Sequence, residues 1–78
     1  MAKFAKLFDL EDDEQVLLTL DYDEEEDMHR VTIQTDFDGC EAKIRLAFNT
    51  LDKAISALNS YTKDKAIDFR TEIGKMVR

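Results

Sequence analysis

Arg30-Val31-Thr32-Ile33-Gln34-Thr35-Asp36-Phe37-Asp38-Gly39-Cys40-Glu41-Ala42-Lys43-Ile44-Arg45-Leu46-Ala47-Phe48 is the stretch that decides the fold. Apolar side chains alternate on both sides of Asp38-Gly39: Val31, Ile33 and Phe37 before it, then Cys40, Ala42, Ile44, Leu46 and Phe48. An Asp-Gly pair accepts the positive φ angles that a two-residue hairpin turn demands. With Phe37 opposite Cys40, the pairs Thr35–Ala42, Ile33–Ile44, Val31–Leu46 and His29–Phe48 follow. All the apolar residues then share one face. A slip of one residue would turn the whole set to solvent, so the register is strongly specified. Cys40 is expected to point inward, where a free cysteine behaves as a small apolar residue.

Working toward the N-terminus, Val16, Leu18, Leu20 and Tyr22 give a third strand of period two. Its inward residues are even-numbered and those of the hairpin's first arm are odd, so a regular connection needs four or six residues. Phe4, Phe8 and Leu10 suggest an edge strand before it, with Lys6 snorkelling or outward; Phe4, Leu7 and Phe8 also fit a helical turn. After Phe48 the period changes. Asn49-Thr50-Leu51-Asp52 resembles a helix N-cap with an acid at its third position, and Leu51, Ala54, Ile55 and Leu58 recur at helical spacing. Tyr61-Thr62 breaks that helix. The next is expected to bury a stripe of Ala66, Phe69, Ile73 and Met76, with Asp64 and Lys75 placed to suit its dipole. The expected fold is α+β: strands at about 3–10, 15–22, 29–37 and 40–48, then helices at about 50–60 and 63–77. The order is ββββαα, an antiparallel meander with two helices on one face, in a single domain of residues 1–78.

Composition narrows the classes. Forty-four per cent apolar and 37% charged residues suit a folded chain rather than a disordered acidic tail. A chain of this size buries roughly 60–65% of its unfolded surface, so its core is modest. A single cysteine excludes an internal disulfide. Met1-Ala2-Lys3-Phe4-Ala5-Lys6 lacks the apolar core of a signal peptide, and no run approaches the ~20 apolar residues of a membrane span. The expectation is a soluble cytoplasmic protein without membrane contact.

Charge is the strongest functional text. Residues 9–27 carry eleven acids and no base, while the other 59 residues hold seven acids and eleven bases. The net charge of −7 is therefore local. In a meander the first and third connections lie at one end of the sheet and the second at the other. Asp9, Glu11, Asp12, Asp13 and Glu14 should thus gather with Asp36, Asp38 and Glu41 at one pole. Asp23, Glu24, Glu25, Glu26 and Asp27 occupy the other, about 23 Å away for seven residues at ~3.3 Å each. Lys63 and Lys65 are placed to offset two charges of the first pole, Lys75 and Arg78 part of the second.

Catalytic and metal signatures are weak by comparison. Asp36-Phe37-Asp38-Gly39 resembles the DxDG stretch of haloacid-dehalogenase-type phosphotransferases, over four residues only. The chain is far too short for that α/β fold, and the hairpin accounts for the Asp-Gly. Asp21-x-Asp23-x-Glu25-x-Asp27 begins like a calcium loop, but Glu26 stands at the required glycine and Thr32 at the closing glutamate. Asp-rich ends invite adventitious divalent cations, and a solvated loop is the simpler account. His29 lacks an identifiable nucleophile and orienting partner. No second cysteine or spaced histidine accompanies Cys40 as a zinc ligand. No catalytic residue, metal site or cofactor is expected.

The expected function is a small, acidic, non-enzymatic protein-interaction module. Its size and charge are those of phage- or mobile-element-type inhibitors that mimic nucleic-acid charge and occupy a basic site on a partner. Duplex DNA carries one charge per ~1.7 Å of axis, and poles ~23 Å apart would span about seven base pairs. The expected partner is a protein with a basic surface, a nucleic-acid-binding protein in the sharpest form of the reading. The alternative is nucleic-acid binding by the outward sheet face through Arg30, Lys43 and Arg45. That face has no aromatic stacking platform, and eleven flanking carboxylates repel a polyanion, so direct binding is disfavoured. Edge pairing through the first strand, or burial of Leu17, would give a homodimer.

Overall fold

In the computed structural model, which describes residues 2–11, 14–37 and 39–77, four strands are followed by two helices. They are β1 (Ala2–Asp9), β2 (Gln15–Asp23), β3 (Met28–Phe37), β4 (Cys40–Phe48), α1 (Leu51–Ser60) and α2 (Lys63–Val77). The sheet is antiparallel in the order β1-β2-β3-β4. The ββββαα reading holds, and the ambiguous first segment is a strand. The hairpin register is the one the alternation specifies, from Phe37 opposite Cys40 to His29 opposite Phe48. Gly39, at φ 80°, supplies the left-handed residue its turn requires. Asp23 pairs with Met28, leaving a four-residue connection, one of the two lengths that parity allows.

The core sits on the central pair of strands. Val16, Leu18 and Leu20 of β2, Val31 and Ile33 of β3, Ala54 and Leu58 of α1, and Ala66 of α2 are buried. Fully burying each larger aliphatic chain contributes roughly 1.5–3 kcal/mol. Thr35 is the buried polar residue among them, and its hydroxyl donates to the Gln15 carbonyl oxygen at 2.8 Å. Thr50, rather than Asn49, caps α1: its hydroxyl accepts from the Lys53 amide at 3.3 Å, and Asn49 instead accepts from Lys53 Nζ.

Three sequence expectations need correction, all for one reason: the helices cover the middle of the sheet and not its edges. Cys40 shares the covered face by register but is exposed. Ile44 and Leu46 are likewise 43% and 42% exposed, because α2 packs on β3 and α1 meets β4 at only part of its length. Phe4, on the same face of β1, is 52% exposed, whereas Phe8 and Leu10 pack against the core. The expected α2 stripe holds at Ala66, at Phe69 and, half-buried, at Ile73, and fails at its last member. Met76 is 80% exposed, and the covered positions are Ala66, Arg70 and Gly74, spaced by four, with Phe69 and Ile73 flanking. Leu17 is half-buried beside Leu7 on the open face.

No helix among the described residues is long and apolar enough to cross a membrane. The turn gives a direct test of the register. No atom lies within 4 Å of a Cβ built on Gly39, so a substitution there acts through backbone conformation alone. Gly39→Val should cost about 1–2 kcal/mol in urea unfolding, and Gly39→Asn well under half of that, since asparagine tolerates positive φ. Equal costs for the two would contradict the left-handed turn.

Candidate functional site: the acidic ends of the sheet

The strand order brings the β1–β2 loop and the β3–β4 turn to one end and the β2–β3 turn to the other. At the first end the loop is closed by its own backbone: the Leu10 amide donates to the Glu14 carbonyl at 2.7 Å, and the Glu14 amide to that of Glu11 at 3.2 Å. Asp9 accepts from Gln15 Nε2 at 2.8 Å. Glu14 meets Arg70 of α2 at 3.2 Å. Glu11 is exposed and lines, with Leu10, Glu14, Lys63, Ile67 and Arg70, an open cleft of about 400 Å³. Asp36 is exposed directly opposite Glu41, and Lys43 relieves that like-charge contact by pairing with Glu41 at 2.7 Å. Asp12, Asp13 and Asp38, expected here, lie outside the described residues.

At the second end the acids build the turn that carries them. Asp23 Oδ1 accepts from the amides of Glu25 and Glu26 at 3.0 and 3.4 Å. Its other oxygen meets Arg30 at 2.8 Å, and the same guanidinium nitrogen lies 2.8 Å from Glu26. Asp27 takes a left-handed φ of 52°, which a short polar side chain tolerates better than most, and its carboxylate accepts from the Tyr22 hydroxyl. The Tyr22 ring also packs on His29, with centroids 4.9 Å apart. Glu24 and Glu25 project outward and are exposed. An open hollow of about 450 Å³ beside them is bordered by Asp21, Asp23, Glu24, Glu25, Arg30 and Arg45.

The structure therefore gathers the predicted acids at two ends but divides them by state. Asp9, Glu14, Asp23, Glu26 and Asp27 are engaged in local hydrogen bonds or ion pairs, while Glu11, Glu24, Glu25 and Asp36 face solvent. At the first end Lys63 borders the cleft with Glu11 and Glu14 as expected, but the ion pair to Glu14 comes from Arg70. Lys75 pairs with its neighbour Glu72 at 3.3 Å, and Arg78 lies outside the described residues. Arg30, expected to be available on the open face, is clamped by Asp23 and Glu26. Glu26 lies in the turn and Arg30 in β3, and Glu14 is far in sequence from Arg70, so no spacing rule of a regular element pointed to either partner.

Among the described residues no three His, Cys, Asp or Glu side chains are arranged to hold a metal ion. No protein family, curated protein or solved structure matches the chain.

Both tyrosines should titrate late. Tyr22 is raised above its ordinary 10.0 first by the hydrogen bond to Asp27, then by desolvation and the negative field of Asp27, Glu24 and Asp23. Tyr61 is raised by burial and then by Asp68. Phenolate absorbance should appear at higher pH in the native protein than in denaturant. The unfolded chain then loses its phenolic protons first. Stability contributed by Tyr22 is complete below pH 10 and declines as pH rises through its folded value. Tyr22→Phe should remove that share of the alkaline loss; an unchanged profile would mean that the Asp27 hydrogen bond does not persist in solution.

Proposed function

We propose that this chain is a non-enzymatic protein-binding module that presents its acidic ends to a basic surface on a partner. The observation that carries the reading is the projection of Glu24 and Glu25 from a turn whose other carboxylates are consumed in holding it. A turn closed by its own hydrogen bonds presents its exposed carboxylates in a defined direction, and charge so placed steers association and selects partners. Glu11 and Asp36 give the opposite end the same character on a smaller scale. The nine residues of β2, at ~3.3 Å each, keep the two ends well apart. This separation supports the sharper form of the reading, in which the ends stand in for nucleic-acid phosphates at a basic groove of an inhibited partner.

The alternative, nucleic-acid binding by the open sheet face, is less well supported. Of its three cations, Arg30 and Lys43 are ion-paired, which leaves Arg45. Counterion release from so few phosphate contacts gives little affinity.

The test separates the ends. A partner captured from cognate lysate by salt-reversible binding supplies the ligand for stopped-flow association. Glu24→Gln with Glu25→Gln at one end, and Glu11→Gln with Asp12→Asn and Asp13→Asn at the other, leave the Arg30 and Arg70 pairs intact. Each set should slow association severalfold and flatten its salt dependence, with folding stability held or slightly raised. Loss from one set alone assigns a compact basic pocket to the partner, and loss from both an extended groove. Unchanged association rates in both sets would refute the proposal.

A further inference from the structure

The sheet has two edges, and they differ in kind. On β1, Lys6 lies on the covered face between Phe4 and Phe8, its ammonium donating to the Tyr61 carbonyl at 3.0 Å. The β1 register is also irregular between Ala2 and Phe4. An inward charge and a broken register are two devices by which natural sheets prevent edge-to-edge pairing. β4 has neither. Its nine residues keep one unbroken register, the chain contains no proline, and the covered-side residues Cys40, Ala42, Ile44 and Leu46 are uncharged. Three of those four are exposed.

The charges of β4 are complementary to themselves when the strand is reversed. With Phe37 and Cys40 closing the hairpin as a hydrogen-bonded pair, even-numbered residues of β4 bond to β3. The amides and carbonyls of Glu41, Lys43, Arg45 and Ala47 then face the open edge. An antiparallel second strand centred on Lys43 sets Glu41 of each copy opposite Arg45 of the other. Arg45 makes no ion pair among the described residues, so a partner for it is outstanding. The two Lys43 side chains meet on the axis, each held by its own Glu41 at 2.7 Å. On the covered side, Ala42 falls opposite Ile44 and Cys40 opposite Leu46, a small residue against a large one at each position. Centring on Ile44 instead would set Lys43 against Arg45. Centring on Ala42 would carry Leu46 past the end of the facing strand.

We propose that β4 is the docking edge for a second copy of this chain, the two β4 strands pairing antiparallel about Lys43 into one continuous sheet. This contact is separate from the acidic ends and does not depend on them. A single-strand interface is small, so the dimer is weak and concentration-dependent.

Sedimentation equilibrium on the intact chain should show reversible dimers over about 1–500 µM, the range expected of a small interface. Arg45→Glu and Glu41→Arg should each weaken dimerisation by about tenfold, through two like-charge contacts per dimer. Glu41→Arg combined with Arg45→Glu should restore it. Circular dichroism on each variant controls for folding, and the unmodified protein gives an independent readout: exchange of the Lys43 and Arg45 amides should slow as concentration rises. Register is tested by Leu46→Cys, which places a thiol opposite Cys40 of the second copy in a non-hydrogen-bonded pair within disulfide reach. That variant should cross-link as a dimer on oxidation while the parent chain does not. A monomer at every concentration would overturn the proposal. So would dimers indifferent to both single reversals, or a dimeric Leu46→Cys variant that fails to cross-link.

Discussion

Val16, Leu18 and Leu20 lie directly across from Thr35, Ile33 and Val31, and the rest of the molecule depends on that register. These six side chains form one buried surface on the two central strands. α1 seats Ala54 and Leu58 on it, and α2 adds Ala66. Because side chains alternate with period two, moving β2 by one residue would send three buried aliphatic residues to solvent and bring Gln15, Leu17 and Thr19 inward. The same parity limits the β2–β3 connection to an even number of residues, and the pairing of Asp23 with Met28 makes it four. It thereby decides which acids form a turn and which remain in strands.

The topology was legible because the alternation and the Asp38-Gly39 pair constrain each other: only one register satisfies both. Helix positions were legible from the change of period after Phe48. Side-chain exposure was not, since it depends on where the helices lie across the sheet. Strand alternation says which face Cys40, Ile44 and Leu46 share, but nothing about whether a helix reaches them. On α2 the expected stripe holds at Ala66, Phe69 and Ile73 and ends before Met76, because helical spacing does not say how far along the helix the sheet extends. At the acidic ends, location followed from topology alone. The division into engaged and free carboxylates required the positions of Arg30, Arg70 and Tyr22.

Charge in this chain has two separate structural consequences. In the second turn, Asp23 and Asp27 act much as glycine or asparagine does in other turns: one accepts amide hydrogens, the other adopts a left-handed backbone and receives a tyrosine hydroxyl. These groups are part of the fold. Glu24 and Glu25 gain nothing of the kind from their position and raise the repulsion that the turn must withstand. The surrounding hydrogen bonds make that repulsion tolerable, so that the turn stays ordered while exposing negative charge.

Lys6 has no ion pair among the described residues, yet its ammonium lies over the Phe8 ring, 5.1 Å from the centroid, and donates a hydrogen bond to the Tyr61 carbonyl. The arrangement bears on how assembly ends. A sheet with two receptive edges can add neighbours on both sides and grow into a fibre, because every new member offers a fresh edge. A sheet with one receptive edge is satisfied by a single neighbour, after which both outer margins carry the inward lysine and growth stops. In the dimer proposed through β4, one ammonium group beside aromatic rings would thus separate a closed, countable assembly from an open-ended one.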